Sequence, residues 1–556
     1  MIAVRARDAR TGCAPPVTEA VAGFSPADDW AGPSGEFPAG LVSLSCDEVR
    51  PFTAVNEEAR RAMSRISSIL LLPCFSIWLL AHAAGADPAT LGIGLGEAEI
   101  TPTEGFPMAG YYHERKATGT RDPLKAKAIV FRQDERRAAF VACDLTGIAA
   151  DLSAEVRRRA AERTGIPAGH IVLAATHSHT APDYYRDLYE YLGQPPEAGR
   201  QRYAARLIDG IVEAIVRADT GVQPAIVLAG TARQEIPIAF NRRFVMKDGS
   251  VRTWMRLNHP EVVRAAGPID PDVGLMLVRA AVDDRPLGVF SNFALHLDTV
   301  GGTLWSGDYP FYVEQALRGT LGAHVVSVFG NGCCGDINHV DPAATSVNKT
   351  DFIGRSLAET VLEGLAQLAR IEQPVLRVCT AKVELPLQEV TADEVAAAQP
   401  LVADARAGKR VEFVDQVKAY KALVLDQLRN RPPLAPDSGG LIGLGLSRTW
   451  AGVGDHLPAD LQVIALGQEL AIVCLPGEVF VDLGLAIKRA SPFRTTLVVE
   501  LCNCVESIYI PPRVAYAGGS YEVTNSLVQP GSGERLAEAA VRLLRDAAGG
   551  DRPAAP

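Results

Sequence analysis

Cysteine is scarce: ten in 556 residues, far too few for a disulfide-built scaffold. The pairs Cys333/Cys334 and Cys502/Cys504 lack the spacing of a zinc finger. A basic stripe is also missing. Lys and Arg number 55 against 65 Asp and Glu, a net charge of −10, and the sequence pI is about 5.6. That balance argues against a nucleic-acid or anionic-membrane partner. No internal repeat and no HExxH helix occur. What is present is an ordinary globular composition, 47% hydrophobic and 22% charged, with material for one large core or two domains.

The first 62 residues are rich in Ala, Gly and Pro and show no lasting apolar periodicity. From Met63 the chain reads "MSRISSILLLPCFSIWLLAHAAGADP", with Arg65, an apolar run from Ile69 to Leu80, and a small-residue stretch after it. Charge, apolar run and small residues together predict a secretory signal peptide over 63–86. Such peptides open a chain, so residues 1–62 are expected to be a spurious, unstructured extension and the mature protein to be secreted or periplasmic. The competing expectation is a membrane anchor over 66–86, which is long enough to span a bilayer. Pro73 and the short apolar core weigh against it, and no stable membrane insertion of the mature chain is expected.

From about Leu91 the pattern is α/β: mixed β-sheets flanked by helices in a single large catalytic domain, 91–545, followed by a disordered tail, 546–556. Short apolar runs at 125–131 and 138–148 flank a charged turn and read as strands. Helical spacing follows over 152–165, with Gly165 at the C-cap. A strand is predicted from 171 and a periodic helix over 204–218. Strands are predicted at 272–282, 286–296 and 323–336, a hairpin over 461–478, another strand over 495–503, and a closing helix to 549. Residues 391–430 read as a helical insertion opening on a capping box, Thr391 and Glu394, and are expected to be a solvated surface feature. The aromatic-rich stretch 183–193 reads equally as a pocket rim or as an amphipathic surface helix.

Several predicted strands end on residues capable of chemistry: Asp144, His177 and His179, His296, and Glu478, with Asp336 in a glycine-rich loop. In "IVLAATHSH" the two histidines stand at i and i+2, so an extended strand would project both imidazoles from one face. A single histidine or acid at a strand end is usually structural. Imidazoles and a carboxylate arriving from separate strands are a donor set suited to Zn²⁺.

The ordered set "ATHSHTAPD", "SNFALH" followed by "WSGDY", "GNGCCGDIN" and "CLPGE" resembles the neutral/alkaline, non-lysosomal ceramidases. The stretches "GLGEAEITPTEGFPMAGY" and "RDPLKAKAIVF" look like that family's N-terminal region. The resemblance covers about residues 91–545 and implies a zinc-dependent amidohydrolase of sphingolipid metabolism, cleaving an N-acyl bond by attack of zinc-bound water. It implies His177, His296, Glu478 and Tyr509 as the metal ligands. Tyr509 comes from "YIPPRVAYAGGSYE", where Tyr521 takes the place of the tyrosine aimed at the scissile group and Tyr516 packs. His179 matches the histidine that bonds the reacting group, and Arg242 in "FNRRF" the substrate-binding arginine. Asp336 is expected to orient the glycine loop or a ligand, and Asp308 to cap a loop.

Two departures bear on the substrate. The family's loop carries a serine where this chain has Asn338, and a proline where it has His339. Asparagine is no hydroxyl nucleophile, but it can donate to an oxyanion. Family members also commonly continue into a β-sandwich domain, whereas this sequence ends at residue 556. The expected partner is therefore a small-molecule or lipid-like N-acyl substrate. The alternatives are a zinc esterase or acyl hydrolase acting on a soluble, non-ceramide substrate, and a non-catalytic, metal-containing binding protein.

Overall fold

The two largest sheets of the computed structural model pack face to face, with helices covering their outer sides. The structure describes residues 90–193, 202–430 and 447–549. The expected leader at 63–86 and the segment before it lie outside these. In the larger sheet the strands run in the order Val326–Asn331, Pro286–Phe293, Asp272–Ala280, Gln223–Arg233, Gly92–Glu99, Lys125–Gln133, Arg136–Cys143 and Ile171–Ala175. Its outermost pairs, at both edges, are parallel and the inner ones antiparallel. Each parallel pair is joined through a helix, Ala150–Thr164 at one edge and Pro310–Leu321 at the other, as a crossover requires. The smaller sheet orders Leu376–Pro386, His456–Leu466, Leu470–Cys474 and Thr495–Val499.

The inner core interleaves apolar residues of both sheets, such as Phe131, Phe140 and Phe290 from the larger and Ile464, Ile472 and Leu497 from the smaller. On the far side of the larger sheet, the helices Ala150–Thr164 and Tyr203–Thr220 bury Leu152, Val156, Leu207 and Ile211. The smaller sheet is backed by Phe413–Asn430, Val481–Ala490 and Ser532–Gly549. This is the α/β arrangement of mixed sheets flanked by helices that the sequence pattern predicts. Among the described residues no helix is long and apolar enough to cross a membrane.

Local signals fare well. Gly165 has φ 69° and its N–H bonds Ala161 O, the left-handed cap that glycine tolerates best. Thr391 and Glu394 form the reciprocal capping box. The predicted insertion is a pair of helices, Ala392–Arg406 and Phe413–Asn430. The closing helix continues to Gly549, into the stretch expected to be tail. Tyr184 and Tyr185 are fully buried and stacked 4.4 Å apart, with the Tyr184 hydroxyl donating to Gly147 O. At these two positions the aromatic stretch is core packing, not a rim.

Candidate active site

Backbone pairing outside the main strands assembles the site. The strand Ile171–Ala175 stops before the histidines, and His177 has φ 77°. The expectation that strand alternation aims both imidazoles is therefore corrected: a left-handed kink, costly for a non-glycine residue, redirects the chain. Ser178 then bridges Leu297 in parallel and His179 N–H bonds Leu297 O at 2.9 Å. This ties the pair to His296, three residues beyond Pro286–Phe293. Elsewhere, a two-residue parallel ladder sets Glu478 opposite Tyr509. Gly477, before Glu478, has φ 65° and so little room that a Cβ would lie 2.1 Å from Ser507 Oγ. Only glycine fits there.

The ring nitrogens reveal the chemistry. His177 Nδ1 lies 2.6 Å from Thr146 O and His296 Nδ1 2.9 Å from Cys334 O. A carbonyl only accepts, so each Nδ1 carries a proton, and in its neutral form each ring turns a bare Nε2 toward the other. Those two Nε2 atoms stand 3.2 Å apart, and His179 Nε2 is 3.3 Å from that of His177. Ligand atoms of the three histidines all fall within 4.8 Å of one another. Glu478 Oε2 sits 3.5 Å from both His177 Nε2 and His296 Nε2. That is too far for a good hydrogen bond, and this buried oxygen has no hydrogen-bond partner. Lone pairs converge here with one guanidinium donor beside them, Arg242 Nη1 at 3.3 Å from His296 Nε2, and the unpaired Glu478 oxygen makes the set one that fits a cation. Geometry does not separate His179 from His177 by proximity. It separates them by anchoring, since His179 Nδ1 makes no hydrogen bond among the described residues.

Arg242 runs through the same space. Its Nε donates to Glu522 at 2.7 Å, Nη2 to Tyr509 Oη at 3.0 Å and to Gly335 O at 2.9 Å, and Nη1 lies 3.3 Å from His296 Nε2. Arg242 and Arg243 are both buried, and Arg243 also pairs with Glu522. Neither is a solvated surface charge. Tyr521 stands edge-on to Tyr509, ring centroids 5.7 Å apart, while Tyr516 bonds Ser526 and Val528 O. Asn338 is buried and pairs with Phe240, two residues before Arg242. The next residue, His339, bonds Asp298 at 2.9 Å, tying this loop to the segment just past His296. Asp336 accepts from Val481 N–H and Asn241 Nδ2, so its carboxylate braces the glycine loop against the helix Val481–Ala490. Asp308 caps the Thr299–Val300 turn, and Asp144 accepts from Lys125 N–H.

Burial raises the Asp336 and Asp144 carboxyls to about 6, hydrogen bonds to Val481 and a nearby Lys127 charge respectively opposing it. Burial also acts against the Glu478 carboxylate, but the His177 and His296 imidazoles outweigh it and hold the group well below its usual range. His179 is pushed well down by burial and by His177, which keeps it an unprotonated acceptor. Burial drives the Tyr509 phenol well up against the opposing Arg242 charge, and takes Tyr521 to about 12. The Cys333 and Cys334 thiols are likewise raised well above normal by burial, poor starting points for a nucleophile.

Three acids escaped the sequence reading. Glu522 anchors Arg242, and its signal was its place directly after Tyr521. Glu500 accepts from Val479 N–H and the Cys334 thiol, behind Glu478; an acid at the end of an apolar strand was the hint. Asp298, the partner of His339, had no signal beyond lying two residues past His296.

The fold and the site together define a class: a helix-flanked pair of sheets with a buried imidazole–carboxylate cluster where irregular segments meet. Residues 91–338, somewhat under half of the chain, match the family described as neutral/alkaline non-lysosomal ceramidase, N-terminal. It is 27% identical over 291 residues to neutral ceramidase A of Dictyostelium discoideum, covering 49% of this chain and 39% of that one. It is 28% identical over 248 residues to the neutral ceramidase of Mycobacterium tuberculosis, covering 42% of this chain and 36% of that one. The matched part thus spans well under half the length of these relatives. The crystal structure of neutral ceramidase from Pseudomonas aeruginosa superposes with a TM-score of 0.60 at 20% identity, over 82% of this chain and 74% of that one. A structure titled "Ceramidase complexed with C2" gives 0.58 at 20% identity, over 82% and 75%. These two likenesses establish the fold.

Proposed function

We propose that the protein is a zinc-dependent hydrolase that cleaves an N-acyl amide bond. The observation that carries this reading is Glu478 Oε2, buried without a hydrogen-bond donor and facing the bare Nε2 atoms of His177 and His296. Leaving such acceptors unpaired costs several kcal/mol unless a cation joins them. His177, His296, Glu478 and Tyr509 would hold the ion, and the carbonyl anchors on both Nδ1 atoms are the usual support for imidazole ligands. Bound Zn²⁺ supplies Lewis-acid polarisation and a water of lowered pKa. The amide class follows from the neutral ceramidases among the relatives.

The remaining work falls to side chains of this chain. Arg242, fixed by Glu522 and Gly335 O, orients the polar part of the substrate with a planar, permanently charged fork. The Tyr521 hydroxyl, protonated at neutral pH, donates to the carbonyl oxygen as charge develops on it. His179, kept neutral by its burial, takes the proton at a ring nitrogen and passes it to the leaving amine. Asn338 offers an N–H donor, not a nucleophile, so no acyl-enzyme through this position is involved. The leader expected from Met63 would carry the protein out of the cell or into the periplasm before this chemistry operates.

Metal analysis of purified protein, paired with hydrolysis of a panel of N-acyl amines and matched esters, tests the proposal. One zinc per chain with amide cleavage is the expected result. Metal-free protein that still cleaves amides would overturn it. Stoichiometric zinc with ester turnover alone would move the assignment to an esterase, and zinc without turnover to a binding protein.

A further inference from the structure

The helix Phe413–Asn430 opens on two large apolar residues that face water: Phe413 is 42% exposed and Val414 54%. A first helical turn normally favours polar residues, so the placement calls for a reason. Phe413 does not stand alone. Its ring stacks on Tyr521 (5.7 Å, 20° between planes) and meets Tyr112 edge-on at 5.5 Å. Trp254 approaches Tyr521 to 4.9 Å and Phe413 to 6.3 Å. Tyr521 in turn meets Tyr509, the partner of Glu478 across the short ladder. A continuous aromatic path therefore leads from the imidazole–carboxylate cluster to solvent, and Phe413 is its outer end.

The wall is held in place. Gln416 Nε2 donates to Tyr112 O at 3.4 Å, and the Tyr112 hydroxyl bonds Asn525 at 2.6 Å. Trp254 and Ser520, which flank Tyr521 in space and sequence, have φ 61° and 96°. Backbone strain of that kind survives where the surroundings fix a functional geometry.

From this geometry we infer that Phe413, with Trp254 and Tyr521, forms a selectivity wall that receives the hydrocarbon chain attached to the scissile amide. The inference rests on the N-acyl hydrolase reading and adds a specificity-determining residue from the predicted surface insertion. Aromatic ring faces suit methylenes, and the wall's continuity with the cluster sets where such a chain must emerge.

The test measures kcat/KM for two series: one amine carrying saturated acyl groups of increasing length, and one acyl group on alkylamines of increasing length. In the wild type the long-over-short ratio exceeds one in one series, which identifies the side of the amide that lies on the wall. Phe413→Ala lowers that ratio about tenfold, mostly through KM, and Phe413→Leu restores part of it. Val282→Ser, at a remote position 88% exposed, leaves it unchanged. An unchanged ratio in Phe413→Ala overturns the inference. A second measurement works without turnover: saturated carboxylates from acetate to dodecanoate are titrated against tryptophan fluorescence, with Trp254→Phe identifying the reporter. Affinity that rises with chain length and loses that slope in Phe413→Ala supports the wall even if no amide is cleaved. Affinity independent of length, or a slope that Phe413→Ala leaves intact, removes it.

Discussion

Two buried polar clusters in this protein each centre on a glutamate and differ in satisfaction. Around Glu314, the ammonium groups of Lys127 and Lys125 lie 2.6 and 2.7 Å from its carboxylate, and Arg318 joins at 2.7 Å while also holding Glu97. Both oxygens of Glu314 are paired. Around Glu478 pairing is incomplete: Oε2 stands 3.5 Å from the Nε2 atoms of His177 and His296 and lacks a donor. Paired buried charge is ordinary structural practice. Converging, unpaired acceptors are not, because the desolvation they suffer returns nothing until a ligand arrives. Burial of charge is thus no guide to function by itself. Its residual, unsatisfied valence is.

Substitutions in both clusters put this contrast at risk. His296→Ala is expected to abolish zinc retention and reduce hydrolysis to background with the fold intact by circular dichroism; retained metal would break the contrast. Glu314→Gln should do the reverse, lowering unfolding free energy by about 3–5 kcal/mol by leaving two ammonium groups underpaired, with zinc content unchanged. Denaturant melts with metal analysis check both.

Acid sharpens the difference. Burial pushes the Glu314 carboxyl up, but Lys127 and Lys125 outweigh it and bring the group from 4.5 down to about 2. A depressed folded pKa means stability fully present above pH 4.5 and lost as pH falls toward 2, about 3 kcal/mol in all. Glu314→Gln should flatten that part of a stability–pH curve. Tyr521→Phe removes a single proposed oxyanion donor, so kcat is expected to fall about 10²-fold with zinc content and melting unchanged. The smallest effect is reserved for Thr391→Ala, which breaks the capping box and should cost about 1 kcal/mol without altering hydrolysis.

Two aromatic helical stretches show how far the sequence could be read. Residues 183–193 read equally as a rim or as a surface helix, yet Tyr184 and Tyr185 are core. Residues 391–430 promised a solvated surface, yet Phe413 reaches Tyr521. Both patterns are amphipathic, and amphipathicity states that a face is apolar without naming what it meets. The strands and caps were legible because their signals are local. The companions of the site residues, Glu522, Glu500 and Asp298, were not, because each matters through a neighbour distant in sequence.

The sequence alone determined the strands and helices with strong local patterns, such as those over 125–218 and the closing helix, together with the caps at Gly165 and Thr391 and the motifs containing His177, His296, Glu478 and Tyr509. Periodicity, turn chemistry and short spacings are properties of neighbouring residues, so they survive in one dimension. Tertiary structure decided that His177 is aimed by a left-handed kink, that Glu478 lies opposite Tyr509, and that Arg242 is a buried partner of Glu522. Those facts depend on which segments meet after both sheets have packed, and only the closed fold specifies that.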